Sequence, residues 1–461
     1  MIGIEKELAQ DVISAAMASG ADFAELYAED TRHNRISMVD SKVDEVRDQR
    51  KAGAGVRILK GTRSVYASTA LLTKEGLLEC AKRVADALDS AGENQGIRLT
   101  ERIFGDIHPV RVVPSSVQGA RKAEIVREAC CAAKDYHEEI SQVEGSLLDV
   151  DRRILIANSD GLYTTDRQIR TRLFVSAVAS GRGENQSGYY APGRRMGLEM
   201  FDFISPKEVG VTAAKQAVTM LHAGYCPAGK MTVAIENGFG GVIFHEACGH
   251  SLEASSVALG QSQFAGKLGQ QIANPKLTAI DDGTIPNAWG SINIDDEGVP
   301  AQKKILIENG ILKSYMVDKL NGRRMGMEST GSGRRQDYTF EPTSRMTNTY
   351  IANGPDRNED IISSIEYGLY AKSMGGGSVN PVTGEFNFAV TEGYLIRNGR
   401  IAEPVRGASL IGKGSEVLMN IDMIGQNLMT AQGMCGAASG SIPTDVGQPL
   451  IRVSSITVGG R

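Results

Sequence analysis

The sequence predicts an α+β protein of two domains, with a boundary near residue 222. At 461 residues the chain is longer than a single hydrophobic core usually supports. In residues 1–222 helical and strand-like patterns alternate, whereas residues 223–461 have mostly strand patterns separated by glycine-rich turns. We therefore expect an N-terminal domain of helices and strand meanders, 1–222, and a strand-rich C-terminal domain, 223–461.

The N-terminal domain is predicted to begin with a helix over Glu5–Ser19 that ends at Gly20, because apolar side chains recur on one helical face. A meander of four short strands and a second helix over Lys74–Leu88 follow. The same order then recurs, with helices over Ser116–Tyr136 and Pro206–His222 on either side of further strands. This order predicts an internal repeat.

Two helices are predicted to interrupt the strands of the C-terminal domain. One begins at Val242 and carries the segment F-H-E-A-C-G-H-S-L-E, residues 244–253. The other spans Asp356–Tyr370, where apolar residues have helical spacing. Its inward-facing residues are predicted to be Ile361, Ile362, Ile365 and Leu369.

Composition excludes several classes of protein. A net charge of -5 argues against nucleic acid as the main ligand, because neutralising phosphates needs an excess of Lys and Arg. No apolar run reaches the length of about 18 residues that a membrane helix needs, and the first residues lack the pattern of a signal peptide. Six cysteines are too few for a disulfide scaffold of this length. We expect a cytoplasmic protein without a membrane segment.

His245 and His250 lie five residues apart, and Glu246 directly follows the first of them. Residues five apart on an ideal helix are rotated by roughly 140°, so an undistorted helix would direct the two imidazoles to different sides. One extra residue in the turn, a π-bulge, would bring both to one side, and Gly249 would accommodate it. We therefore predict a π-type turn that presents two metal ligands. The alternative is a pair of histidines that share a helix by chance.

The third ligand decides what kind of metal site this is. Three protein ligands leave a position for water, as in catalytic zinc sites, whereas four close the site. The candidates are Cys248, Glu253 and Cys435. Cys248 lies in the same turn as both histidines, where a buried packing role is the better interpretation. Cys435 lies in a glycine-rich segment that a metal could approach closely, although a buried thiol explains it equally well.

Five segments of the C-terminal half form a characteristic series. In order they are F-H-E-A-C-G-H-S-L-E, G-K-L-G-Q-Q-I-A-N-P-K-L-T-A-I-D-D-G-T, G-S-I-N-I-D-D-E-G-V-P, R-M-T-N-T-Y-I and G-M-C-G. In these motifs and their order, the C-terminal half resembles the TldD/PmbA family of metallopeptidases. Because the metal-binding H-E-x-x-x-H motif is present, the resemblance is to the TldD branch rather than to the PmbA branch, which lacks it.

This resemblance implies that His245, His250 and Cys435 bind zinc and that Glu246 is the catalytic carboxylate. It also implies a peptide substrate and assembly, either as a homodimer or with a PmbA-like subunit. The chain departs from the family after the cysteine, where Ala437, Ala438 and Ser439 stand in place of a segment that often holds lysine and glutamine. That departure concerns neighbouring substrate contacts and leaves the implied ligands intact.

Zinc held by two imidazoles and a thiolate would leave a position for water and polarise a peptide carbonyl. Glu246 would take the proton from that water, and Glu253 could orient His250 through its free ring nitrogen. These roles predict a zinc-dependent peptidase of unfolded or flexible peptides, captured by strand addition. The alternative is a non-catalytic peptide-binding subunit with a structural zinc, which needs a fourth ligand from Cys248 or Glu253.

Three arginines, Arg334, Arg335 and Arg345, flank the segment D-Y-T-F-E-P-T-S. They could bind the carboxylate of a peptide, but exposed arginines on a surface loop are the better prediction, because arginine is seldom buried.

Overall fold

The computed structural model describes residues 2–88, 97–181, 183–380 and 382–460. The fold is mixed α and β and rich in strands, which confirms that part of the prediction. The two-domain division and the internal repeat stay predictions. Elements of residues 2–222 are α1 (Lys6–Met17), β1 (Phe23–Val39), β2 (Lys42–Lys60), β3 (Arg63–Thr69), α2 (Lys74–Asp86), β4 (Thr100–Glu101), α3 (Gly119–Lys134), β5 (Ile140–Asn158), β6 (Leu162–Gly181), β7 (Glu184–Tyr190), β8 (Gly193–Arg194) and α4 (Pro206–Leu221).

The sheet of residues 2–222 has the order β3-β2-β1-β5-β6-β4, with β7 and β8 also paired to β6. Its central strands are long and antiparallel, whereas the two-residue β4 pairs in parallel with β6. The prediction of short strands here was wrong for β1, a single strand of 17 residues. Thr31 to His33 lie in the middle of this strand and pair with β2 on one side and β5 on the other. Pairing on both sides satisfies their backbone groups, which favours strand over turn.

The helices cover this sheet in two groups, each with its own apolar core. Helices α1 and α2 pack against one part of it around Leu26, Val56 and Leu155. Helices α3 and α4 pack against another part around Leu147 and Leu173. Because side chains alternate along a strand, residues 24, 26 and 28 of β1 face the helices and the residues between them face away.

The residues of β1 that face away form buried ion pairs with residues 296–335. Glu25 accepts hydrogen bonds from Arg57 of β2 at 3.0 Å and from Arg335 at 2.6 Å. Arg57 also donates to Glu297 at 2.6 Å. All four side chains are buried, so the charges neutralise one another away from water. The N-terminal sheet therefore rests on the C-terminal half through a charged, closely paired contact.

Residues 223–460 contain two further large sheets and short helices. The strands are β9 (Gly224–Tyr225), β10 (Gly229–Ile235), β11 (Ala279–Asp282), β12 (Lys303–Glu308), β13 (Ile311–Leu312), β14 (Gly333–Arg334), β15 (Thr343–Ser344), β16 (Asn348–Ile351), β17 (Tyr367–Val379), β18 (Glu385–Arg397), β19 (Arg400–Arg406), β20 (Ser409–Lys413), β21 (Ile421–Ile424), β22 (Met429–Ala437), β23 (Gly440–Gln448) and β24 (Ile451–Gly459). The sheet orders are β17-β10-β24-β20-β18-β19-β9, with β21 on β24, and β13-β12-β11-β16-β23-β22; β14 pairs with β15. The helices are α5 (Val242–Phe244), α6 (Ala254–Val257), α7 (Lys319–Met325), α8 (Asn358–Ser363) and α9 (Gly414–Asn420).

The predicted helix over Asp356–Tyr370 is wrong in its second half. Helix α8 ends at Ser363, and Leu369 lies on β17. β17 pairs in parallel with β10, where Gly368 lies beside Thr232. A Cβ at Gly368 would lie 2.3 Å from the Thr232 carbonyl oxygen, so this close approach of two strands needs glycine. Leu369 is buried as predicted, but on a strand.

The core of the C-terminal half surrounds the segment that carries the two histidines. Phe244, Ala247 and Cys248 lie in one apolar cluster with residues of both large sheets. The histidine-bearing segment is therefore packed against residues of both sheets, close to β22. Among the described residues, no helix combines the length and the apolar character that crossing a membrane requires.

Candidate metal centre

His245 and His250 lie on a distorted helical segment between β10 and β11. Helix α5 continues into a π-helical turn, His245–Gly249, and then into a 3₁₀ turn, His250–Leu252. The predicted π-type turn is thus confirmed. It brings the two imidazole centroids to 5.0 Å, with the ring planes 85° apart. Glycine at position 249 also avoids a close contact, since a Cβ there would lie 2.4 Å from Met346 Sδ.

Cys435 lies on β22, one of the two edge strands of its sheet among the described residues, and its side chain is close to the two histidines. Its Sγ lies 3.2 Å from His245 Nε2 and 3.4 Å from His250 Nε2. The three ligand atoms all lie within 4.8 Å of one another. His245 and Cys435 are buried, and His250 is partly exposed. The structure therefore brings together the three residues that the sequence indicated as metal ligands.

The spacing of these atoms fits a tetrahedral zinc ion. Zinc lies about 2.0–2.1 Å from a histidine nitrogen and about 2.3 Å from a thiolate, which places the nitrogen and sulfur about 3.6 Å apart in a tetrahedron. The observed separations of 3.2 and 3.4 Å are close to that value. Soft thiolate and imidazole donors also suit zinc better than calcium or magnesium. The residues present therefore fit a zinc ion.

The electrostatics of the cluster favour a thiolate. Burial opposes ionisation of Cys435, but the charges and hydrogen bonds of His245 and His250 outweigh burial and hold its pKa well below the ordinary value. Burial likewise opposes the charged form of His250, and here the Glu253 carboxylate together with Cys435 raises the pKa well above its ordinary value. The thiolate is the form of cysteine that binds metals.

Two carboxylates flank His250 on opposite sides of its ring. Glu253 accepts a hydrogen bond from Nδ1 at 3.1 Å, which directs Nε2 towards Cys435. Glu246 is partly exposed, and its Oε2 lies 3.7 Å from His250 Nε2. Glu253 thus occupies the orienting position that we predicted for it, and Glu246 lies on the ligand side of the ring. Their roles in a reaction stay predictions.

Neither candidate for a fourth ligand faces the cluster. Cys248 is fully buried in the apolar core, where burial raises the pKa of its thiol well above the ordinary value. Glu253 is engaged with Nδ1 of His250, on the side of the ring away from Cys435. Within the described parts of the chain, the group of converging metal-ligand atoms consists of His245, His250 and Cys435.

A groove of about 450 Å³ runs along the ligand cluster. Its lining includes Glu246 and His250, Ser378 of β17 and Gly436 of β22. Two surface cavities of about 470 and 560 Å³ occur elsewhere, and neither is lined by the cluster residues. The groove therefore differs from other cavities by its chemistry rather than by its size.

Family models match most of the chain in order. The PmbA/TldA metallopeptidase domain 1 matches residues 24–88, the central domain matches residues 113–221 and the C-terminal domain matches residues 228–460. The chain belongs to the PmbA/TldD family of metallopeptidases. Its three candidate metal ligands all lie within the match to the family's C-terminal domain.

Named relatives place the chain with the TldD members of the family. It is 36% identical over 451 residues to a metalloprotease TldD homolog of Haemophilus influenzae, covering 95% of this chain and 93% of that one. It is 32% identical over 441 residues to a metalloprotease of Methanothermobacter thermautotrophicus, covering 95% and 96% respectively. Relatives named as metalloproteases support a metal-dependent peptidase, and the predicted TldD branch is confirmed.

Solved structures share the fold at low sequence identity. TldE of Thermococcus kodakarensis superposes with a TM-score of 0.76 at 18% identity, covering 98% of this chain and all of that one. A protein of Thermotoga maritima superposes with a TM-score of 0.80 at 22% identity, over 98% and 100% of the chains. These likenesses establish the shared fold of the family across the whole chain.

The prediction of surface arginines was wrong for this PmbA/TldD family member. Arg334, Arg335 and Arg345 are buried, with at most 3% exposure. Arg334 donates to the Met346 carbonyl at 2.6 Å, and Arg345 donates to the Cys435 carbonyl at 2.5 Å. Buried arginines need partners, and those of Arg335 and Arg345 are distant in sequence, so local patterns cannot identify them. These side chains are therefore structural partners and do not line the groove.

Proposed function

We propose that the chain is a zinc-dependent peptidase that hydrolyses unfolded or flexible peptides. The observation that carries this proposal is the convergence of His245, His250 and Cys435, with Glu246 beside them at a groove. Three ligands that leave one position for water are typical of catalytic zinc, whereas structural sites have four. Membership of a metallopeptidase family supports the same conclusion.

Each side chain has a distinct task in the proposed reaction. A zinc ion bound here would act as a Lewis acid that polarises a peptide carbonyl and acidifies a water. Glu246 would accept the proton from that water and deliver it to the leaving amine. Glu253 would hold His250 in one orientation through Nδ1. Glu246 reaches the groove, so its carboxylate is available to a substrate.

The shape of the site supports an extended peptide as substrate. Cys435, Gly436 and Ala437 lie on β22, which is one of the two edge strands of its sheet in the described part of the chain. An outer strand can add a peptide by backbone hydrogen bonds, which recognise an extended chain of almost any sequence. Folded proteins seldom offer such a free segment. We therefore propose capture of the substrate along this strand.

The alternative is a peptide-binding subunit with a structural zinc. It requires a fourth protein ligand, and the geometry around Cys248 and Glu253 gives it no support.

We also propose that the chain assembles, either as a homodimer or with a PmbA-like subunit. Light scattering on the purified chain, alone and mixed with a PmbA-like protein, measures this directly. A monomer in both samples contradicts assembly.

Glu246→Gln tests the proposed chemistry. We expect the variant to bind zinc like wild type and to hydrolyse a disordered fluorogenic peptide about 10²–10⁴-fold more slowly, because the proton acceptor is lost. Glu308→Gln, at an exposed glutamate on β12, is the matched control. Unchanged hydrolysis in Glu246→Gln contradicts the assignment of the base. Zinc and peptide binding without hydrolysis by wild type favours the binding subunit.

A further inference from the structure

The guanidinium of Arg345 is fully buried behind the strand that carries Cys435. Its Nη2 donates to the carbonyl oxygen of Cys435 at 2.5 Å. Its Nη1 donates to Ser439 Oγ and to the Gly440 carbonyl, each at 2.9 Å. All three acceptors belong to the end of β22 and the turn into β23. One side chain therefore fixes the backbone from which the thiolate projects.

The same guanidinium faces the carboxylate that orients His250. Arg345 Nε lies 3.7 Å from Glu253 Oε1, and Glu253 Oε2 accepts from His250 Nδ1 at 3.1 Å. Nε and Oε1 are both buried and make no hydrogen bond to any described residue. The positively charged guanidinium and the negatively charged carboxylate are therefore neighbours at these two atoms. Arg345 is in contact with both segments that supply candidate metal ligands, although those segments are 185 residues apart.

We propose that Arg345 is a positioning residue that sets the distance between Cys435 and His250 and so determines the affinity of the site for zinc. This inference rests on the metal site of the proposed function. Arginine suits the task because its planar fork can donate in several fixed directions at once. Groups that hold metal ligands in place typically change affinity by about 10–100-fold when they are lost.

Arg345→Lys is the informative change, since it keeps the positive charge and removes the planar guanidinium group with its several N–H donors. One ammonium cannot reach the Cys435 carbonyl, the Gly440 carbonyl and Glu253 in the same directions. Arg334→Lys is the matched control. Arg334 is also buried, lies on β14 and donates to the Met346 carbonyl, and among the described residues its side chain makes no hydrogen bond or ion pair with Cys435 or Glu253. Both substitutions place a lysine at a buried arginine position.

The measurement is zinc affinity by competition with a chromophoric chelator, together with the absorption spectrum of the cobalt-substituted chain. We expect Arg345→Lys to bind zinc about 10–100-fold more weakly than wild type and to shift the thiolate-to-cobalt band. Arg334→Lys should stay within about twofold of wild type, with an unchanged band. Equal affinities and equal spectra for the two variants overturn the proposal.

A second variant applies where Arg345→Lys does not fold. Ser439→Ala removes one acceptor of Arg345 without burying a new charge, and we expect a loss in zinc affinity of at least about threefold. An unchanged affinity in Ser439→Ala then overturns the proposal. Wild type that binds no zinc contradicts the proposed function and this inference together. Wild type that binds zinc, with unaffected variants, contradicts only the role of Arg345.

Discussion

The side chain of Cys435 is buried and lies next to two imidazoles. This position distinguishes it from the other cysteines of the chain. Cys248 lies only two residues from His250 in sequence, yet its thiol points into the apolar core. The local turn geometry argued against Cys248 as a ligand, but no local pattern could show that Cys435, which is 185 residues from His250 in sequence, lies beside the histidines. The resemblance to the family indicated Cys435, which the structure places beside both histidines.

Cys435→Ser should abolish the stabilisation of the chain by zinc. A ligand that binds only the folded state raises the free energy of unfolding by about 2.7 kcal/mol at 100 times its Kd. We expect the melting temperature of wild type to rise with zinc and to fall on adding a chelator, and that of Cys435→Ser to respond to neither. Thermal melts followed by circular dichroism measure both. A similar rise in the serine variant contradicts the ligand role.

We predict that the free energy of unfolding depends on pH through the carboxyl group of Asp445. This carboxyl is buried on β23, and burial raises its pKa to about 7 from an ordinary value of 3.8. As pH rises from about 4 to about 7, the unfolded chain loses this proton first, so the contribution of Asp445 to stability decreases over that range. Asp445→Asn lacks this titration. Urea unfolding should show that the free energy of unfolding of the variant, relative to that of wild type, increases by about a few kcal/mol between those pH values. If the free energies of the two proteins change in parallel with pH, the shifted pKa is contradicted.

At the scale of elements, the π-helical turn is the feature that sequence reasoning predicted best. The spacing of five between His245 and His250 is incompatible with a regular helix if both bind one ion, so the geometry follows from the chemistry. The lengths of β1 and α8 were predicted poorly. Both depend on pairing with strands far away in sequence, β5 for β1 and β10 for the strand after α8.

Gly249→Ala should destabilise the chain by about 1–3 kcal/mol, because the added methyl overlaps Met346 Sδ in a tightly packed core. Gly436→Ala is the control, since a Cβ at that position meets no atom within 4 Å. Urea unfolding of both variants measures the difference. Equal stability of Gly249→Ala and Gly436→Ala contradicts the packing against Met346.

At the scale of the whole molecule, the two halves are joined by buried charges around Glu25. Sequence patterns predicted an N-terminal sheet and a strand-rich C-terminal half, but the ion pairs of Arg57 and Arg335 could not be predicted. Charged residues on a strand normally indicate an exposed face, and here that face is covered by residues 296–335. A local sequence pattern cannot show that a strand face in one half of the chain is buried by the other half.

Glu25→Gln should lower the free energy of unfolding by about 3–5 kcal/mol, because two buried guanidinium groups lose the anion between them. Glu45→Gln, in the exposed pair with Arg47, should change it by less than about 1 kcal/mol. Urea titrations of the two variants compare them directly. A Glu25→Gln variant as stable as Glu45→Gln contradicts the contribution of this contact.

The coordination of the metal is the central claim, and X-ray absorption at the zinc K edge of the zinc-loaded wild-type chain tests it most directly. We predict one sulfur at about 2.3 Å and nitrogen or oxygen neighbours at about 2.0–2.1 Å. Such a shell corresponds to Cys435, His245, His250 and a solvent oxygen. A shell without sulfur, or with two sulfurs, would contradict the account, since the first removes Cys435 and the second closes the site.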